Sequence, residues 1–419
     1  MASRRGEREY IEFREEIMND FRIEIGKPSV IAQGENTGWG NYQFPDIHYT
    51  KSGSIYVTWA MRPDDVNFYG GKSFGEAVSE DLGVTWKEPP QSCEVIPNTL
   101  LKNGKAFKGF KKEFAFKSDY IALHTPLVEH KGVKYHFAED IKEFDDKVFG
   151  VEVDTETGEE SLFEVKINWN NLALIEYPDN RILPTAYMMA ACGEYAKVLR
   201  IGDALYFATY HRSFDIHAKT RESAVNKYTL ESSVFVFRSV DEARTWDCIS
   251  QITVSDDEYR EEDGFEGFDE PLMEIMADGS VVMLMRSGAP KNPFDPDRFP
   301  CYITRSTDAC RTWSKPEKFD SVGVLPQILR LGCGVTLATY GRPRLFLRAT
   351  DDPSGREWAE HIEIELVPNS HDRSCYYTRL LPIDDHSALL VHSDFNYPDK
   401  VSGKPKKTVL ARRITVIKE

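Results

Sequence analysis

Four arginines stand at the ends of similar apolar runs. Arg62 follows Trp59-Ala60-Met61, Arg212 follows His211 and the run Ala208-Thr209-Tyr210, Arg286 follows Met283-Leu284-Met285, and Arg342 follows Thr339-Tyr340-Gly341. At the starts of the partner runs lie Asp46, His124, Glu270 and the pair Tyr376-Tyr377. A guanidinium is a planar fork of donors that grips a carboxylate through two parallel hydrogen bonds. Several forks converging on one point would make an anion site, and the carboxylates and phenols beside them could move a proton or attack an electrophile. Each arginine taken singly is as well explained by a solvated ion pair with Asp64, Asp65, Asp215 or Asp394. Their shared place in a repeat is what argues for convergence.

The repeat is a hairpin of two apolar runs around a Gly or Asp turn, and it occurs six times. The runs are Pro45–Tyr49 with Ile55–Val57, Pro126–Val128 with Val133–Tyr135, Val198–Leu199 with Leu205–Phe207, Pro271–Met273 with Val281–Met283, Pro326–Ile328 with Val335–Leu337, and Tyr377–Leu380 with Ala388–Leu390. Their turns fall about 50 to 80 residues apart, room for four strands and loops each time. The pattern predicts an all-β chain, a six-bladed β-propeller of four-stranded antiparallel blades over 23–419. An amphipathic helix is expected within an extension over 1–22, where Tyr10, Ile11, Phe13, Ile17 and Phe21 alternate with charges. That helix could pack on the propeller or on a second copy of the chain.

A second motif runs Ser79-Glu80-Asp81-Leu82-Gly83-Val84-Thr85-Trp86. It returns as Ser239 to Trp246 and as Ser306 to Trp313, and more loosely from Thr350 through Asp352 and Gly355 to Trp358. An Asp side chain can cap its own turn through backbone N–H groups, and a Trp can fill the space between strands, so these residues are scaffold. The motif resembles the Asp-box, or BNR repeat, of the sialidase (neuraminidase) superfamily, Ser-x-Asp-x-Gly-x-Thr-Trp. Ala243 and Cys310 replace its Gly. The resemblance implies a six-bladed propeller with these turns on the face away from the active site.

The same resemblance implies roles for the residues above. Glu270-Pro271 followed by Arg286 is similar to the sialidase segment in which a Glu precedes a carboxylate-binding arginine. Gly341-Arg342 is similar to the segment supplying another, with Arg344 and Arg348 as rivals, and Tyr377-Thr378 to the one carrying a tyrosine nucleophile, with Tyr376 as rival. Glu270 would be the base for Tyr377, and Asp64 or Asp65 the acid. The family opens its first hairpin with Phe-Arg-Ile-Pro, but here Tyr42-Gln43-Phe44-Pro45 stands in its place. An amide in place of a charged fork would forfeit roughly 1.5 to 3 kcal/mol, about one to two decades of affinity. Arg62 or Arg212 would then compensate, or the sugar is not sialic acid.

The expected activity is therefore an exo-acting glycosidase that removes a terminal acidic sugar from an oligosaccharide or glycoconjugate, without a cofactor. A lyase or a hydrolase for another uronic or ulosonic acid remains open through His124, His211 and a tyrosine, as does a non-catalytic glycan-binding propeller. A formal charge of -16, from 52 Lys plus Arg against 68 Asp plus Glu, disfavours a nucleic-acid partner. Seven scattered cysteines without CxxC spacing read as reduced thiols, and no HExxH or compact ligand cluster indicates a metal. With no membrane-length apolar stretch and no apolar leader, a cytoplasmic protein is expected, or a secreted one if a leader has been removed.

Overall fold

Residues that alternate between open and buried positions pair almost throughout as antiparallel strands, as a period of two demands. The computed structural model describes residues 21–35, 39–62, 74–89, 93, 95, 97, 99–111, 119, 121–141, 147–190, 197–255, 266–288, 300–342, 344–364 and 377–418, together with the backbone of 14–18 and 116–117. The first sheet holds Asn41–Tyr49, Ile55–Met61 and Phe74–Ser79. A second meander runs Thr99–Leu100, Lys105–Phe110, Val148–Asp154 and Glu160–Asn168, and a third runs Leu199–Ile201, Ala204–His211, Ser233–Ser239 and Thr245–Ile252. These two join edge to edge where Lys166–Asn168 pairs in parallel with Thr245–Asp247. The fourth sheet is Phe268–Ile275, Val281–Ser287, Cys301–Ser306 and Glu317–Asp320, and the fifth is Val324–Arg330, Thr336–Gly341, Leu345–Thr350 and Ile362–Glu363. The last comprises Arg379–Asp384, Ser387–Pro398 and Pro405–Lys418, and its outermost strand also receives Phe21–Ile25 and Ser29–Gly34 from the start of the chain.

Apolar side chains fill the space between the sheets from the second round to the first. Phe107 and Val165 meet Phe207, Phe235 and Trp246 between the second and third sheets. Val236 and Tyr206 meet Met273 and Met283, Leu284 and Ile303 meet Ile328 and Tyr340, and Leu337 and Leu347 meet Leu390 and Ile414. Leu389 and Val409 then meet Val57 and Trp59, which brings the last sheet back to the first. Such repetition of antiparallel sheets is consistent with a β-propeller.

Two expectations need correction. Arg14–Met18 is a strand paired antiparallel with Phe21–Ile25, not part of a helix, and residues 6–13 of the expected helix lie outside the described residues. Phe21, Ile23 and Ile25 are buried alternately, so the period-two signal governs here and the short strand adds to a sheet edge. The helix on which a second copy was expected to dock is thus absent over 14–18. The hairpin around Lys131-Gly132 is also misplaced: Val128–His130 and Val133–Phe137 belong to a separate sheet with Ala173–Glu176, Arg181–Ile182 and Phe116–Lys117. The hairpin of the second meander turns instead at Asn103-Gly104. Any antiparallel hairpin shows the same apolar run and Gly turn, and the Asn-Gly signal was the sharper one.

The Ser-Asp-Thr-Trp turns are alike in detail. Asp81 accepts from Ser79 Oγ, Thr85 N and Thr85 Oγ1 at 2.8, 2.8 and 2.6 Å, while Ser79 Oγ accepts from Gly83 N. Asp308 repeats this with Ser306 and Thr312, and Asp241 with Ser239 and Thr245 N. Ala243 and Cys310 take the left-handed conformation of Gly83, with φ of 69° and 63° against 89°, a strain glycine would escape.

Ile23 is fully buried in the cluster that joins the last two sheets. Ile23→Ala should lower unfolding free energy by roughly 2–5 kcal/mol, read from the denaturant midpoint.

Candidate active site

Three first strands carry the same irregularity at the end where the arginines stand. An extra residue enters the ladder between Gln43 and Asp46, between Asp269 and Leu272, and between Val324 and Gln327. A proline sits in each bulge, at Pro45, Pro271 and Pro326, where its missing N–H is tolerated. The preceding residues Phe44, Glu270 and Leu325 have φ of 52°, 50° and 38°. A positive φ at a non-glycine costs of order 1–3 kcal/mol and persists only when the surroundings hold it. The bulge re-aims these residues out of the ladder.

Glu270 is the charged member of the three. Its Oε1 accepts the Tyr377 hydroxyl at 2.6 Å, and its Oε2 accepts Leu325 N at 2.7 Å. Arg286 Nη1 lies 3.5 Å from the same Oε1, and Arg286 Nη2 donates to Asp269 Oδ2 at 3.4 Å. Arg342 Cζ lies 5.9 Å from the centre of the Tyr377 ring, and the Phe44 ring meets that ring edge-on at 4.9 Å. The fourth sheet thus supplies a carboxylate and a guanidinium, the fifth a backbone donor and Arg342, and the chain leading into the last sheet supplies the phenol.

Electrostatics keeps Tyr377 a neutral phenol at rest. Burial pushes its pKa well above the ordinary value and the Glu270 charge adds to that, while Arg286 and Arg342 pull the other way. Burial pulls the Arg286 pKa down, but Glu270 and Asp269 more than offset it and raise it. Burial likewise lifts Asp269 to about 6, against the pull of Arg286 and a hydrogen bond with Ser232, with Glu266 and Glu270 adding to the lift. A base that already holds the proton of a buried phenol can take it when the oxygen attacks.

Below this set lies a second charged group. Arg379 Nε donates to Asp46 Oδ1 at 3.2 Å, and His48 Nε2 is 2.9 Å from Asp46 Oδ2. Burial works against the Asp46 charge, yet His48 and then Arg379 hold its pKa down to about 2. An acid so easily ionised is a poor proton donor, so Asp46 reads as the counter-ion of Arg379.

The structure does not gather every expected residue here. Gln43 is fully buried beside Phe44 and accepts from Gly40 N, while its Nε2 has no hydrogen-bond partner among the described residues. Arg62 lies over the Phe74 ring at 5.4 Å. Arg212 is held beside Tyr135, Tyr177 and Glu231, where it fastens the extra sheet. His211 is buried, accepts from Arg212 N at 2.8 Å and is pushed by burial down to about 4. His124 keeps company with His136 and Asp140 near that extra sheet, because the hairpin that placed it was misassigned. Asp64, Asp65 and Tyr376 lie outside the described residues. Among the rivals of Arg342, Arg344 pairs with Glu363 and Arg348 with Asp320. Among the described residues no cluster of three or more His, Cys, Asp or Glu could hold a metal ion, and no helix is long and apolar enough to cross a membrane.

Arg379, Asp269, Trp39 and Phe44 were not foreseen as parts of the site. Arg379 could have been, since it stands two residues after Tyr377 on one strand face. The X-Pro step repeated at the bulges was the signal for Phe44. Asp269 and Trp39 left no sequence signal beyond their neighbours.

No protein-family model matches the chain, and no curated relative does at a significant level. Among solved structures it is similar to a protein of unknown function from Dyadobacter fermentans DSM 18053, with 17% identity, 94% of this chain and 99% of that chain covered, and a TM-score of 0.56. That likeness concerns the fold alone. A Penicillium chrysogenum α-L-arabinanase complexed with arabinobiose is 13% identical, with 92% and 98% covered and a TM-score of 0.45. The NanB sialidase of Streptococcus pneumoniae is 15% identical, with 93% and 70% covered and a TM-score of 0.43. Neither score is high enough to bear on function.

The raised pKa of Asp269 makes a pH prediction. Its folded value of about 6 exceeds the ordinary 3.8, so its contribution to stability is full below about pH 4 and is lost as the pH rises through 6. Asp269→Asn should flatten that limb of a melting-temperature profile, narrowing the fall between pH 4 and 7.

Proposed function

We propose that the chain is a six-bladed propeller glycoside hydrolase, its catalytic domain over 23–419, that acts from the end of a glycan on a terminal acidic sugar. Sialic acid or a related ulosonic acid is the substrate class, Tyr377 the nucleophile and Glu270 its base. The observation that carries this is the 2.6 Å hydrogen bond from Tyr377 to a carboxylate whose other oxygen is fixed by Leu325 N. A sugar with a carboxylate on its anomeric carbon would repel a carboxylate nucleophile, whereas a phenol approaches uncharged. Arg286 and Arg342 beside that phenol are placed to take the sugar's carboxylate.

In the first step the Tyr377 oxygen bonds to the anomeric carbon as the glycosidic C–O bond breaks. Its proton passes to Glu270 Oε1, and the leaving oxygen takes a proton from an acid for which Asp65 and Asp64 are the candidates. In the second step water attacks the same carbon and gives its proton to that conjugate base, while the departing phenolate recovers its proton from Glu270. Two displacements retain the anomeric configuration. The neutral Gln43 would weaken carboxylate binding relative to an arginine there. No observation favours elimination, since His124 and His211 both have partners elsewhere.

Tyr377→Phe and Glu270→Gln should each lower kcat by roughly 10²- to 10⁴-fold on a fluorogenic sialoside or another ulosonic-acid glycoside. NMR of the first-formed sugar should show retained configuration. Full activity in Tyr377→Phe, or an inverted product, would overturn the mechanism, and no turnover on any acidic glycoside would overturn the function.

A further inference from the structure

Among the described residues Trp39 is one of the few large aromatic side chains left open, with 45% of its surface exposed. It makes two edge-on contacts, with Phe44 at 6.2 Å and Phe395 at 6.1 Å. Phe395 is itself buried beneath Lys407, whose Nζ lies 4.3 Å from the ring centre, so the support is firm. Arg342 Cζ is 5.6 Å from the Trp39 ring and 5.9 Å from the Tyr377 ring. Phe44 likewise touches both Trp39 and Tyr377. Trp39 is therefore continuous with the catalytic set through two shared neighbours, and it is the exposed member of that group.

An aromatic ring with an open surface beside a sugar site offers the apolar C–H face of a pyranose a flat partner and needs no hydrogen bond from it. In an enzyme acting from the end of a glycan, the terminal sugar goes inward to Tyr377 and the leaving group faces solvent. From these two facts the geometry points to a second subsite, in which Trp39 stacks on the neutral hexose attached through the bond to be cleaved. This rests on the hydrolase reading above. Arg342 then has two tasks: it meets the acidic sugar on one side and braces the Trp39 ring on the other. The preferred substrate is an acidic sugar on a neutral oligosaccharide, above one on a small alcohol.

The test separates this subsite from the reaction. Lactose, the probe for a neutral leaving group, is titrated into the wild type, Tyr377→Phe, Trp39→Phe and Trp39→Ala by isothermal calorimetry. The wild type and Tyr377→Phe should bind it alike, Trp39→Phe nearly so, and Trp39→Ala about tenfold more weakly. In turnover, Trp39→Ala should lower kcat/KM for an acidic sugar linked to lactose about tenfold more than for its methyl glycoside. Unaltered lactose binding in Trp39→Ala, no lactose binding by the wild type, or equal losses on the two substrates would overturn the subsite. Absence of turnover by the wild type would instead count against the hydrolase reading, while the lactose titration would still decide the subsite.

Discussion

The hydrogen bond between Tyr377 and Glu270 joins residues 107 apart in sequence, from two sheets that have another between them. No local element could make it. It forms because the first strand of the fifth sheet packs against the first strands of both the fourth and the last, so that those two meet beside it while the fifth contributes Leu325 N and Arg342. Every chemical property of the site follows from that convergence. It buries the phenol, fixes the carboxylate and draws two guanidinium groups to one place.

The convergence carries a cost that the rest of the molecule must offset. Glu270 has a left-handed backbone before a proline, Arg286 is largely enclosed between two carboxylates, and Tyr377 is a partly buried phenol. Each of these would relax if the strands could slide. The apolar clusters between successive sheets prevent sliding, and the strand Phe21–Ile25 fastens the end of the chain to its beginning. The Asp-capped turns, Asp81, Asp241 and Asp308 among them, fix the corners of the sheets in the same way.

How much of this was legible depended on period and spacing. The hairpins at Gly53, Asp203, Gly279, Cys333 and Asp385 could be read because apolar runs and turn residues are local signals, and Glu270, Arg286, Arg342 and Tyr377 followed from their positions on those hairpins. The same signal misled at Lys131-Gly132, because an inserted sheet obeys the rules of any other sheet, and His124 went with it. Arg212 kept its register but turned to the insertion, where Tyr135 and Tyr177 surround it. Side-chain direction at a strand end is set by what packs above it, which no repeat in the sequence encodes. At the start of the chain the Tyr10 to Phe21 spacing fits a helical stripe, yet the alternation Phe21, Ile23, Ile25 that follows shows which period the sheet edge selects.

The charges at the centre bear on how a site in so acidic a chain would hold the anion proposed for it. Arg379 is matched by Asp46 and so contributes little net field, whereas Arg286 faces Asp269 and Glu270 and Arg342 stands beside the Tyr377 ring. With both carboxylates ionised the upper set is balanced, and an arriving carboxylate adds an uncompensated charge. Asp269, already lifted to about 6, is the group whose protonation restores the balance. In the proposed mechanism Glu270 has the separate task of receiving the Tyr377 proton. In the proposed reaction the two adjacent carboxylates would therefore divide the work: Glu270 would take part in proton transfer, and Asp269 would adjust the charge that Arg286 presents. The bulge that turns Glu270 out of the ladder, while Asp269 stays paired opposite Arg286, makes that division possible.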